Sequence, residues 1–412
     1  MGMLLFYINT TARNIARQKY KSALSVFICI IIVLLLNVYI GNISSINSQL
    51  ARLPDAIPIS AQISNLSGTM DAGMAIKESV IDGLAASPYV KEPVFTVQLV
   101  MGEGLITVDD YHGELNLFCS AVNDMRGVSG LKESELTMAE GTAKDFFASD
   151  KYEIILDEYI MEEKGLQLGD MIDLTAFYYK YQTNNHEILF EPLCYREFRI
   201  AGSMSIAEYT GSVIFPSILM PYQTVVNIFH ELGLPFTADS ASFQVDRPFE
   251  LNEFKEEMKE IGLLSVITDA SFQYDGNALV VRDSTFIEAS EPILGTKSLL
   301  VIALPFIIAI VIFIGYITAY LLIYSRRGEY AVMRSLGMRH MQCFNVLLLE
   351  NALLQLIGCA IGSLIAGLAM GMGLSVLAGV AALFLLCYLA GSAIALWNMG
   401  KLSVMEVLTK EN

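Results

Sequence analysis

Acid is nearly missing from both ends of this chain. Of its 43 Asp and Glu residues, only Glu329, Glu350, Glu406 and Glu411 lie outside residues 51–296, whereas 11 of its 26 Lys and Arg do. The middle therefore carries −24 and the flanks +7, within −17 for the whole. Tryptophan is scarcer still, with Trp397 alone. Histidine is limited to His112, His186, His230 and His340, without an HExxH or a Cys/His pair at ligand spacing, which excludes a locally encoded zinc site. A G-x-S-x-G elbow and a G-x-x-x-x-G-K-[ST] phosphate loop are both missing, and Gly295-Thr-Lys-Ser298 lacks the Gly-Lys pair. The expectation is a chain without catalytic, cofactor-binding or metal-binding residues of its own. A strongly acidic middle also argues against nucleic acid and anionic lipid as its partners.

The flanks hold what the middle lacks, namely long apolar runs. These are Ala23–Gly41, Ser298–Ile323, Phe344–Met370 and Leu374–Trp397. The shortest extends about 28 Å as a helix, enough for the hydrocarbon core of a bilayer. A cleaved signal peptide is the rival for the first run, but that run exceeds a usual apolar signal segment and no A-x-A site follows it. Arg13, Arg17, Lys19 and Lys21 precede the first run, Arg326 and Arg327 follow the second, Arg334 and Arg339 precede the third, and Lys401 follows the fourth. Short basic loops stay cytoplasmic. All four spans then agree that both termini and 325–342 are inside and 44–296 outside.

Within the spans, Gly358-xxx-Gly362 and Gly367-xxx-Gly371 have the spacing that lets helices pack closely. Glu350 stands two turns into the third span, where it either snorkels to the interface or marks a functional position. Trp397 suits an interfacial belt or a lipid-facing position. Cys29, Cys359 and Cys387 lie in spans and Cys343 at an edge; for Cys119 and Cys194, in the acidic middle, one disulfide in an oxidising compartment and two buried thiols both fit.

The middle is long enough for its own core, expected as two subdomains. Helical spacing covers Asp71–Ala86, and strands are expected at Val94–Val100, Glu114–Val122, Glu153–Leu156, Met171–Tyr178 and Phe198–Gly202. Asp157 is placed to cap a helix that Gly165 stops. Leu251–Ile261 is amphipathic, with Asn252 as its expected cap. Segment 179–197 reads as a hairpin tip or loop around Asn184. Segment 284–296 continues the second span as a helical stalk, in which Pro292 kinks the helix or marks the membrane boundary. This alternation is α+β.

The sharpest local signal is Ser325-Arg-Arg-Gly-Glu-Tyr-Ala-Val-Met-Arg-Ser-Leu-Gly-Met338. On helical spacing Tyr330, Val332, Met333, Leu336 and Gly337 share an arc opposite Arg327, Arg334 and Ser335. Such a helix lies on the membrane, links two spans, or docks into a soluble partner.

Arg326-x-x-Glu329-x-Ala331-x-x-Arg334-x-Leu336-Gly337 resembles the signature of the FtsX-like permease family, and Leu347-Leu-Leu-Glu350-Asn-Ala-Leu resembles the start of that family's next span. Ala12-Arg13-Asn14-Ile15-x-Arg17 resembles its N-terminal elbow. Ile155-Leu-Asp-Glu-Tyr, Leu166-x-Leu-Gly-Asp170 and Phe198-x-Ile-Ala-Gly202 are similar to the extracytoplasmic core domain of MacB-type transporters, which carry an ATPase domain that this chain lacks. Val404 stands where relatives have Pro, and 203–245 resembles nothing placed, so a substrate-determining surface is expected there.

The resemblance implies a membrane α-helical fold of four transmembrane helices, with a large α+β extracytoplasmic domain inserted between helices 1 and 2. Its divisions are a cytoplasmic elbow at 1–22, spans at 23–43, 297–324, 343–370 and 374–397, the outer domain with its stalk at 44–296, a coupling loop at 325–342 and a cytoplasmic tail at 398–412. It implies the permease subunit of a mechanotransmission-type (type VII) ABC transporter in a bacterial cell membrane. Two permease chains, identical or not, would pair on a cytoplasmic ABC ATPase dimer that binds ATP and Mg. The coupling residues would be Arg326, Glu329, Tyr330, Val332, Met333, Arg334, Leu336 and Gly337. The cargo would be a peptide, an antibiotic or a lipidated molecule, with an extracytoplasmic adaptor or effector as a further partner. A regulatory complex that activates a cell-wall hydrolase or a sensor, and lipoprotein release, share the layout.

Overall fold

The structure is a computed structural model that describes residues 19–399 apart from 108–114, 143–144, 182–187, 207–214, 268–275, 325–327, 329–332, 334 and 336. In chain order its elements begin with α1 (Lys19–Ala56), β1 (Ser60–Ser64), β2 (Ile76–Lys77), α2 (Glu78–Ala86), β3 (Val90–Glu103), β4 (Leu117–Val122), β5 (Leu136–Met138), β6 (Glu153–Asp157) and α3 (Glu158–Lys164). They continue with β7 (Met171–Tyr181), β8 (Ile188–Met204), β9 (Ile218–Pro221), α4 (Tyr222–Glu231), β10 (Thr237–Ala238), β11 (Ser240–Val245), α5 (Leu251–Ile261), β12 (Leu264–Ser265) and β13 (Ala278–Arg282). The last are α6 (Ser284–Tyr324), α7 (His340–Met370) and α8 (Leu374–Met399). The chain forms two compact units, Leu53–Ile287 and the remainder on both sides of it.

In the first unit the strand pairing closes on itself. β3 pairs with β4, β4 with β9, β9 with β6, β6 with β8, β8 with β7, and β7 returns to β3 at Leu99–Glu103. The N-terminal half of β3 leaves this ring and pairs with β11, which continues the sheet through β1, β13 and β12. Because β3 belongs to both parts, the segment is one compact unit and not the two subdomains expected. Alternation along each strand sorts the side chains. Ile154, Leu156, Ile200, Ile218 and Met220 face the main core, whereas Ile155, Ala201 and Leu219 face a smaller cluster that Val128, Leu131 and Phe146 cover. A run of rings from Phe95 through Tyr222, Phe236 and Phe229 to Tyr178 fills the main core, with centroids 5.2–5.6 Å apart.

Local chemistry sets several boundaries. Asp157 Oδ1 accepts from the Tyr159 amide at 2.8 Å, and Gly165 ends α3 at φ 65°, a left-handed conformation that suits glycine. Glu250, not Asn252, stands at the start of α5, and it caps without a side-chain bond. Helix α2 begins at Glu78 and not Asp71, because Ile76–Lys77 is drawn into pairing with Thr237–Ala238. Segment 179–197 is mostly strand: β7 and β8 stay paired out to Tyr181 and Ile188, because their long ladder satisfies the backbone that a loop would expose. The Asn184 tip lies outside the described residues. Residues 218–245 form β9, α4, β10 and β11, with Ile218, Val225, Phe229 and Phe243 in the core, while 207–214 of the stretch expected to determine substrate lie outside the described residues.

Asp239 is a buried charge site in this unit. Its backbone bridges the Thr96 carbonyl and the Met74 amide, while its Oδ2 accepts from the Gln98 amide at 2.6 Å. Burial pushes its carboxyl up from 3.8 to about 7, against the pull of that amide. The folded state therefore holds a proton that the unfolded chain releases. This contribution to stability is full below pH 3.8, falls as pH rises and is gone above about 7. Residues 53–287, expressed alone, are expected to fold and to lose stability across that window, and Asp239→Asn should flatten the loss when chemical unfolding is followed against pH. A variant with the wild-type slope would refute the assignment.

Among the described residues, four helices are long and apolar enough to cross a membrane: Lys19–Ala56, Ser284–Leu321, Met341–Met370 and Leu374–Ala395. Segment 284–296 is the start of α6, and Pro292 lies within the continuous helix, where its carbonyl accepts from Thr296 Oγ1 at 2.8 Å.

Candidate functional site

Of the expected coupling residues, Arg326, Glu329, Tyr330, Val332, Arg334 and Leu336 lie outside the described residues. Met333 is half-buried and its carbonyl accepts from the Met338 amide at 3.2 Å, while Gly337 is exposed at φ 89°. That conformation ends the segment cheaply only because the residue is glycine. Arg339 then opens α7, its amide donating to Gln342 Oε1 at 3.0 Å. On the other side, Tyr316, Tyr320 and Tyr324 stack along the last turns of α6, with centroids 6.2 and 5.9 Å apart. This ladder was legible in the sequence as tyrosines four apart, a spacing that stacks side chains on one helix face. The expected elbow at 1–22 and tail at 398–412 fall almost wholly outside the described residues.

The helix-packing glycines divide by role. A Cβ on Gly358 would stand 2.6 Å from Cys29 Cβ and 3.1 Å from the Val26 carbonyl oxygen, and one on Gly362 would stand 3.0 Å from Val33 Cβ and 3.2 Å from the Ile30 oxygen. These two glycines let α7 lie directly on the backbone of α1, and their register shows that the helices run parallel. Gly367 meets only the end of the Leu377 side chain, at 3.0 Å. Gly371 packs against nothing and ends α7 at φ 62°. Two glycines beyond those singled out from sequence make a tighter crossing between α6 and α8. A Cβ on Gly391 would lie 2.2 Å from the Ile312 oxygen, and one on Gly315 2.9 Å from the Tyr388 oxygen. They lie in different helices, so spacing within one helix gave no signal.

Two sequence alternatives are decided by burial and distance. Cys119 and Cys194 are free thiols, not a disulfide. Cys119 is on β4 and Cys194 on β8, three pairings apart whichever way the ring is followed, and strands lie about 4.8 Å apart. Burial pushes the Cys119 thiol up and holds Cys194 at about 11, so both stay protonated and unreactive near neutral pH. Glu350 does not snorkel to an interface. It is fully buried, because its face of α7 turns into the helix bundle. Among the described residues, no group of three or more His, Cys, Asp or Glu could hold a metal ion. His230 Nε2 lies 2.7 Å from Glu78 Oε1 on the surface of the first unit.

The crossings can be tested through stability in detergent. Gly391→Ala and Gly358→Ala should each lower the thermal unfolding temperature, since backbone atoms must move to admit the new methyl. Gly379→Ala is the control on α8, with nothing within 4 Å, and should leave it unchanged or slightly raised. Equal behaviour of Gly391→Ala and Gly379→Ala would contradict the described crossing.

Comparison with known proteins bears on the C-terminal helices. Residues 301–404 match the family model for the FtsX-like permease C-terminal region. No curated protein matches the chain. Among solved structures, the periplasmic region of MacB from Actinobacillus actinomycetemcomitans aligns with 57% of this chain and 92% of that one, at 13% identity and a TM-score of 0.30. A domain of a putative permease protein from Porphyromonas gingivalis aligns with 54% of this chain and 86% of that one, at 11% identity and a TM-score of 0.27. Residues 301–404, which take in α7, α8 and most of α6, are thus similar to the C-terminal region of FtsX-like permeases.

Proposed function

We propose that the chain is the permease subunit of a mechanotransmission-type ABC transporter and takes its energy from a separate cytoplasmic ATPase dimer. The observation that carries this reading is the family match across residues 301–404, which includes the whole 325–339 segment between α6 and α7. In this reading both termini and that segment are cytoplasmic, residues 53–287 lie outside, and two permease chains pair across the membrane. ATP and Mg are bound by the partner ATPase. The four spans hold too few polar groups for a wide aqueous channel. The reading is therefore that ATP-driven motion passes through the helices to the outer unit, which extrudes or extracts a peptide, an antibiotic or a lipidated molecule.

The coupling step rests on the arc of Val332, Met333 and Leu336, with Glu329 and Arg334 at its rim. Burying one such side chain in a partner is worth about 1.5–3 kcal/mol, and about 1.4 kcal/mol is tenfold in affinity. Leu336→Asp loses that burial and desolvates a carboxylate. Binding of the co-expressed ATPase in detergent should fall at least about tenfold, with the outer unit still folded. Full stoichiometric binding by this variant would remove the docking reading and leave a helix lying on lipid.

Orientation is tested separately. With Cys119 and Cys194 replaced, a cysteine introduced at Asn184 should react with a membrane-impermeant maleimide in intact cells, and one at Ser335 only after permeabilisation. The reverse pattern would invert the proposed topology.

A further inference from the structure

The apolar core of the helix bundle is interrupted. One cluster gathers Cys29, Val33, Leu36, Val311, Phe384 and the ring of Tyr388, and a second gathers Ala319, Leu347 and Ala395. Between them lie side chains of the opposite character. Gln355 Nε2 donates to Ser392 Oγ at 3.2 Å, tying α7 to α8. Asn351 stands one turn before Gln355 on the same face, and Tyr388 one turn before Ser392. Tyr388 also lies beside Ser25, Cys29 and Thr318, which brings α1 and α6 into the same layer. The register of the α1–α7 crossing places Ser22 and Ser25 there too. Gly358 meets Val26 and Cys29 and Gly362 meets Ile30 and Val33; continued one turn earlier on both parallel helices, that register brings the Gln355 turn of α7 level with the Ser22–Ser25 turn of α1.

These groups are at least nine-tenths buried: Ser22 4%, Ser25 3%, Asn351 1%, and Gln355, Tyr388 and Ser392 0% exposed. Among the described residues, Ser22 Oγ, both amide atoms of Asn351 and Gln355 Oε1 have no hydrogen-bond partner, whereas the Tyr388 hydroxyl has Ser25, Cys29 and Thr318 as its polar neighbours. An unpaired buried polar group costs on the order of 1–3 kcal/mol. A sealed, dry layer of this kind would be hard to retain, and such sites are ordinarily satisfied by water making two to four bonds each. The hydroxyls and primary amides both donate and accept, which suits water better than an ion of either sign.

We propose that Ser22, Ser25, Asn351, Gln355, Tyr388 and Ser392 form an internal water-binding layer, at which the four helices meet through exchangeable solvent instead of fixed packing. The inference stands on the bundle alone and does not depend on the ATPase reading. A layer held by water can change partners as the helices shift, without first breaking interlocked apolar packing.

The test is X-ray hydroxyl-radical footprinting of the full chain in detergent, since bound water generates the radical beside its neighbours. Tyr388, at the polar end of the first cluster, should be modified several-fold faster than Phe384, which packs against it with centroids 5.4 Å apart and is equally buried one turn further from the polar layer. Equal protection of the two rings would overturn the proposal. A second measurement uses Asn351→Leu, which removes two water partners and fills the space. Labelling of Tyr388 should fall and the thermal unfolding temperature should hold or rise. A lowered unfolding temperature with unchanged Tyr388 labelling would show a structural amide and refute the water layer. Stabilisation of the wild-type chain by sodium over choline at equal ionic strength would assign the layer to a cation instead, and would equally refute it.

Discussion

Backbone contact at glycine is the constraint on which the membrane part depends. Lipid tails are as apolar as leucine, so helices gain little from hiding apolar side chains against one another and associate through close packing and hydrogen bonds. Gly358 and Gly362 set α7 on the backbone of α1, and Gly391 with Gly315 does the same for α8 and α6. Both crossings bring polar side chains into register with each other. Tyr388 sits at the Gly315 contact, and Gln355 lies one turn from Gly358. The glycines thus decide where polar groups face one another.

The unit of residues 53–287 depends on a different constraint, the closure of its strand ring. β3 and β8 are the long strands that change partners along their length, and each passes from one neighbour to another without a break. That sharing makes one compact unit of what the sequence suggests are two subdomains. It also separates Cys119 from Cys194 and buries much of the stretch after residue 217.

Elements encoded by neighbouring residues were legible in the sequence. The α3 helix follows from Asp157 at one end and Gly165 at the other, and β6 follows from an apolar run between polar ends. The apolar runs likewise mark α7 and α8 closely, because length and hydropathy are local properties, whereas α1 continues past its run from Gly41 to Ala56. What escaped depends on partners distant in sequence. Glu350 follows the snorkelling rule only for a helix surrounded by lipid, and here the bundle encloses it. Asn252 loses the cap position because the chain enters α5 two residues earlier, at Glu250. Gly315 and Gly391 have no spacing pattern to betray them, since their meaning lies in a contact between helices.

The central claim is that the segment between α6 and α7 meets a protein partner and not lipid. The direct measurement is a photoreactive amino acid placed at the exposed Ser335 in intact membranes, with the adducts identified by mass spectrometry. The account predicts an adduct with an ABC ATPase subunit whose yield changes when ATP is trapped. Adducts with phospholipid alone, unaffected by nucleotide, would contradict it.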